Sequence, residues 1–279
     1  MFYQNERRKH RQLKYLLASL LVVAVAIGTW FAFGVKNPVS NVASSQDTPA
    51  QITTNQVTYQ PSAEEQAYLK ERFDALSVIN PEVIGYIYAP GTKLDEPVVQ
   101  TGDNATYLDK TFEGNNEPLM GAVFMDTDNN KDWNDSLTWL FGHARGSQVP
   151  DNRMFNDVNF YEDQTFFDQN RYLVLETAER KYYYEAMFFI IVPETTAFYR
   201  TSFDSEESFA EQLNAVATDA VSKKEGAVVK PTDKYLVLST CREDDDTIRS
   251  NLYMRRIPDS ELEQFLAENG DKLTYVPTR

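Results

Sequence analysis

Between residues 83 and 257 the chain runs as short apolar or alternating stretches, broken by Gly, Pro, Asn and Asp. These are 83–88, 97–100, 121–125, 137–141, 172–176, 182–192, 235–240 and 252–257. Runs of this length, rich in Val, Ile, Phe and Tyr, suit strands better than helices. The pattern predicts a mainly β fold, an eight-stranded barrel or closed sandwich with helical decoration. One helix interrupts the late strands at 205–221, with Phe209, Leu213, Val216 and Ala220 on one face. Another opens the folded part: Ser62 followed by Glu65 is a capping-box pattern, Leu69, Phe73 and Leu76 recur at helical spacing, and Asn80-Pro81 ends the run. A single cysteine excludes an internal disulfide, so the apolar core must hold the fold.

Residues 15–35 carry no charge. At the α-helical rise they reach about 30 Å, enough to cross a bilayer. Arg7, Arg8, Lys9, Arg11 and Lys14 precede them, which predicts a cytoplasmic N-terminus. The expected organisation is a cytoplasmic basic tail at 1–14, a transmembrane anchor at 15–35, a flexible extracellular linker at 36–61 and a folded domain at 62–279. The expected localisation is therefore the cell membrane, single-pass, with the domain outside. A cleaved signal peptide is the competing reading, but the apolar run exceeds the roughly 7–15 residues of a signal-peptide core. Net charge is −15; residues 1–36 carry +5, which leaves −20 on 37–279. So acidic a domain has no electrostatic basis for binding nucleic acid or an anionic membrane face.

Cys241 is the only thiol, and it closes the run 235–240. Of the two histidines, His10 precedes the expected anchor, so His143 is the only imidazole that could share a compartment with Cys241. Thiols attack as thiolates and need a base or positive surroundings to ionise. Arg249, eight residues beyond Cys241, could return on the adjoining strand to steady an oxyanion or orient a peptide. Together these are the parts of a nucleophilic acyl-transfer site. A lone cysteine is also, in many proteins, an inert buried residue.

Several motifs in order resemble the sortase family, class B in particular. They are Ser239-Thr240-Cys241 after an apolar strand, Arg249, and Gly142-His143 closing an earlier strand. Ile79 to Ile87, Gly91-Thr92, Glu96 to Gln100, Asp103-Asn104 with Tyr107-Leu108, Gly121 to Asp126, and Met154-Phe155 agree as well. The resemblance spans residues 64 to 258. It implies an eight-stranded sortase-like barrel with an N-terminal helix and a helix inserted between late strands. It also implies a membrane-anchored cysteine transpeptidase, with 62–279 as the catalytic domain. By the resemblance, Cys241 attacks the carbonyl of a Thr–x bond in a C-terminal sorting motif and forms a thioester. His143 protonates the departing amine, and Arg249 stabilises the oxyanion or holds the substrate. The implied partners are a sorting-signal-bearing surface protein or pilin and an amine acceptor, from a cell-wall precursor or a pilin lysine; the membrane is the third, through the N-terminal helix. Asn104, Leu108, Thr195, Tyr199 and Ser239 are the implied substrate contacts. No cofactor is implied.

Two departures bear on substrate identity. Phe141-Gly142-His143-Ala144-Arg145 stands where class B enzymes often read Tyr-Gly-His-Asn-Met, and the loop from His143 to Met154 is longer than usual. Arg242-Glu243-Asp244-Asp245-Asp246 reads as a solvated loop, with selection of a basic partner as the alternative. Asp126 to Asn130 begins like an EF-hand, but Lys131 and Leu137 stand where Gly and Glu are required, so a polar turn fits better. No His/Cys cluster for zinc and no Gly-rich phosphate loop is present. Two rivals remain: an extracellular cysteine protease or amidase on the same fold, and a non-enzymatic membrane-tethered adhesin.

Overall fold

Ser62 does begin a helix: its side chain accepts the Glu65 N–H, and α1 runs Ala63–Ile79. Only half of the capping box forms, because the Glu65 carboxylate turns instead to the Tyr59 hydroxyl and the Lys181 N–H. Asn80 caps the other end; its side-chain amide donates to Tyr107 Oη at 2.7 Å and to the Phe112 carbonyl at 3.0 Å. The computed structural model describes residues 58–144, 153–196, 198–242, 245 and 247–278.

Nine strands follow: β1 Val83–Tyr88, β2 Asp95–Val99, β3 Val123–Met125, β4 Leu137–Phe141, β5 Tyr172–Glu176, β6 Lys181–Pro193, β7 Ser222–Lys223, β8 Tyr235–Cys241 and β9 Ile248–Arg256. Eight of them close a ring in the order β5-β1-β2-β3-β4-β8-β9-β6, with β6 returning to β5. The ninth, β7, adds two residues to the flank of β6. The expected eight-stranded barrel is present. Helices α2 Thr106–Asp109, α3 Gln164–Gln169, α4 Glu206–Thr218 and α5 Asp259–Asn269 complete the fold. As expected, α4 sits between the late strands, and Ser205 caps it in a box with Ser208. The C-terminal helix α5 was not foreseen.

The barrel is filled by one apolar set that includes Ile87, Val98, Val123, Leu140, Phe155, Leu236, Leu238 and Leu252. A second set, Trp139, Phe188, Ile190, Tyr235, Val237 and Tyr253, meets Phe209, Leu213 and Val216 of α4 outside the ring. Successive strand residues face opposite sides, so β8 puts Leu236 and Leu238 inward and Tyr235 and Val237 under α4. Burial on both faces explains why β8 reads as a continuous apolar run instead of an alternation.

The expected anchor at 15–35, with its flanking tail and most of the linker, lies outside the described residues. Among the described residues no helix is long and apolar enough to cross a membrane. The longest, α1, has 17 residues and carries Glu64, Glu65, Lys70, Glu71, Arg72 and Asp74. The expectation of a single-pass protein held in the cell membrane is corrected accordingly.

Candidate active site

Two strands decide where the chemistry-bearing residues meet. β4 and β8 lie almost a hundred residues apart in sequence but pair in parallel, with Phe141 beside Ser239. Parallel strands end on the same side, so the chain leaves both at one rim of the barrel. His143 is two residues past Phe141 and Cys241 two past Ser239, and a bond from Gly142 N–H to the Ser239 carbonyl, 3.3 Å, extends the ladder. β8 then turns back into β9, and this antiparallel pairing sets Arg249 directly opposite Cys241. The end of β4 and the β8–β9 hairpin, distant in sequence, thus deliver an imidazole, a thiol and a guanidinium to one rim.

They line a single cleft of about 270 Å³ with Asn104, Leu108, Tyr199 and Ser239. Phe124, Phe141, Gly142 and Thr240, which stand in quoted motifs but were not named as site residues, complete its lining. Thr195 is exposed and is not among the lining residues. Of the Arg242–Asp246 run, residues 243, 244 and 246 lie outside the described set, as do 145–152 of the long loop. The described part of that run is tied down: Arg242 pairs with Glu162 at 3.0 Å.

His143 is fixed from both sides. Its Nε2 lies 2.8 Å from the Leu108 carbonyl. A carbonyl only accepts, so Nε2 carries the hydrogen and Nδ1 is left to exchange a proton with a substrate. The Leu108 backbone is itself pressed against Gly121, whose φ is +57°; a Cβ there would lie 2.5 Å from Tyr107 O and 2.6 Å from Leu108 O. On the other side Phe155 N–H donates to the His143 carbonyl at 3.0 Å. The Phe155 ring packs where a Cβ on Gly142 would sit, 3.0 Å from its Cγ. Just before it, Met154 holds φ +62°, a conformation costing a non-glycine residue about 1–2 kcal/mol. The buried Glu96 carboxylate accepts the Met154 N–H at 2.8 Å and keeps it there.

Arg249 donates from Nη2 to Glu194 at 2.6 Å and from Nη1 to its neighbour's carbonyl, Ile248, at 3.3 Å. Asn159 Nδ2 donates to the Cys241 carbonyl at 3.3 Å. Elsewhere in the lining the Tyr199 hydroxyl and Asn104 Nδ2 both reach Asp126. Burial first, then the bond to that carboxylate, push the Tyr199 phenol well above its ordinary value. Sequence reasoning missed Asp126, Glu194, Glu96 and Asn159 as parts of this site. Only Asp126 and Glu96 stood inside quoted motifs, and none is marked by type or spacing.

No protein-family model matches the chain. Sortase B of Staphylococcus aureus is 26% identical over 224 residues, which cover 80% of this chain and 87% of the relative. A solved Staphylococcus aureus sortase B–substrate complex superposes with a TM-score of 0.63 at 25% identity, over 70% of this chain and 88% of the other. A sortase B crystal structure in complex with triglycine gives 0.62 at 28% identity, over 70% and 89%. The chain is a class B-like sortase. As such it is a cysteine transpeptidase, and the sortase carries its candidate catalytic groups on the rim where β4, β8 and β9 end.

Proposed function

We propose that this sortase, through a catalytic domain at 62–279, cleaves a C-terminal sorting motif at a Thr–x bond and transfers the acyl part to an amine. In this reading the Cys241 thiolate attacks the threonine carbonyl carbon. Negative charge moves to the oxygen, where Arg249 stabilises it. The C–N bond breaks as His143 Nδ1–H protonates the leaving amine, and a thioester remains on Cys241. An incoming amine gives its proton to the now neutral Nδ1 and attacks the thioester, and the thiolate leaves. Asn104, Leu108, Tyr199 and Ser239 hold the peptide, with Thr195 at its edge. The amine comes from a cell-wall precursor or a pilin lysine.

The main support is the parallel register of β4 with β8, opposite the β8–β9 hairpin, which gives His143, Cys241 and Arg249 a common cleft. Chemistry of the relatives adds to it, since structures of sortase B have been solved with a substrate and with triglycine. The test is a quenched-fluorophore peptide from a library with threonine fixed, assayed with and without triglycine. Cleavage that yields a triglycine adduct and vanishes in Cys241→Ala is expected. Hydrolysis indifferent to any amine would instead make the protein a protease or amidase. Cleavage surviving Cys241→Ala would remove the enzymatic reading.

A further inference from the structure

Asp126 follows β3 and is completely buried, yet none of the ion pairs among the described residues includes it. A buried carboxylate without a cation must be matched by hydrogen-bond donors, or it is costly. Two of its donors come from residues that line the cleft. Oδ2 accepts from Asn104 Nδ2 at 3.0 Å and from the Tyr199 hydroxyl, while Oδ1 accepts the Asp128 N–H at 2.8 Å. Asn104 lies just before α2 and Tyr199 between β6 and α4, and both line the cleft.

We infer that Asp126 is a positioning residue for peptide recognition, which sets part of the cleft lining by holding Asn104 and Tyr199 on one buried carboxylate oxygen. The inference rests on the cleft being the sorting-peptide site. Asn104 cannot turn its amide freely, because its Oδ1 already accepts the Thr127 N–H at 2.9 Å. The presented face of that amide is therefore fixed by Asp126 and Thr127 together. Tyr199 is 44% exposed and otherwise meets Trp139 and Phe141 only edge-on, at 5.2 and 6.1 Å between ring centres. Its hydroxyl bond is what fixes the ring's place in the wall. No other side chain of this size can do this. Asparagine at 126 has one accepting atom, so its NH2 would face either the Asp128 N–H or the Asn104 amide.

A purely structural role, in which Asp126 only caps the turn through Asp128, predicts lost thermal stability and unchanged peptide affinity. The two are separated with wild type, Asp126→Asn, Tyr199→Phe and the double variant. KM and kcat are read with the threonine-fixed peptide, and Cys241 reactivity with a small methanethiosulfonate reagent that needs no groove. Expected are a KM raised roughly tenfold in each single variant, kcat and alkylation rate within roughly threefold of wild type, and a double variant no worse than the poorer single one. Independent, multiplying effects would overturn the inference, because Tyr199 would then act without Asp126. So would an unchanged KM in folded Tyr199→Phe, the variant least exposed to misfolding. Wild-type turnover tests the sortase reading by itself. Crystal structures of the variants test the positioning whether or not any peptide is cleaved, and unmoved Asn104 and Tyr199 side chains would contradict it.

Discussion

Gly121 shows how a residue outside the proposed reacting set can bear on the chemistry. Its positive φ and the two carbonyls within 2.6 Å of any Cβ leave room for nothing larger. One of those carbonyls, Leu108 O, holds Nε2 of His143. Gly121→Ala is therefore expected to cost about 1–3 kcal/mol in chemical denaturation, from left-handed strain plus displaced backbone. It should also lower kcat at least roughly tenfold, because the displaced carbonyl carries the base with it. His143→Ala removes the proposed proton donor itself and should lower kcat/KM by about 10²–10⁴. Arg249→Ala should lower it by about 10²–10³. Melting temperatures of both variants should stay near wild type, since neither side chain belongs to the apolar core. Among the candidate site residues, Cys241, His143 and Arg249, which share the cleft, were legible by scarcity and spacing. Asp126 and Glu194 were not, because their roles exist only through contacts with residues far along the chain.

Elements differed in legibility for local reasons. Ser62 and Ser205 announce α1 and α4 because a side-chain oxygen at the N-cap is a local signal. Helix α5 has Pro258 at its N-cap, which makes no side-chain cap, so it lacks the local signal that marks the other two. Its first residue, Asp259, accepts two bonds from Arg180, at 2.9 and 2.7 Å, and one from the Tyr59 N–H. The Arg180 guanidinium holds this carboxyl below its ordinary 3.8 despite partial burial. A folded pKa below the unfolded one means a contribution present above about pH 4 and lost as pH falls through the depressed value. Denaturation titrations should therefore show Asp259→Asn less stable than wild type at pH 6, with the difference shrinking towards pH 3. Helix α4 rests on the barrel through fully buried Leu213. Leu213→Ala should destabilise by about 2–5 kcal/mol, read by urea unfolding, with Cys241 alkylation unchanged in the folded protein.

At the scale of the whole fold, the number of barrel strands was legible, but β7 and the strand order were not. Runs such as 137–141 and 235–240 declare strands by composition, but nothing within either says that they pair, or in parallel. That pairing is a long-range choice made by the core, where Leu140 lies beside Leu238 and Trp139 beside Val237. The helical layer is joined to the ring by charge as well as packing. Fully buried Glu176 of β5 meets Arg72 of α1 at 3.1 Å and Lys181 of β6 at 2.9 Å, and Arg72 lies 3.8 Å over the Tyr86 ring. Removing one partner of such a cluster leaves an uncompensated charge, so Glu176→Ala should cost about 3–5 kcal/mol in equilibrium unfolding.

The proposed acyl transfer requires that one rim bring sulfur, imidazole and guanidinium to bear on the same carbonyl. Intact-mass spectrometry of the protein caught during peptide turnover tests this most directly, with proteolytic mapping of any adduct. The expected result is an added mass equal to the acyl fragment ending in threonine, mapped to Cys241, released by triglycine, and absent in Cys241→Ala. An adduct on another residue, or peptide turnover that persists in Cys241→Ala with no adduct on the protein, would contradict it.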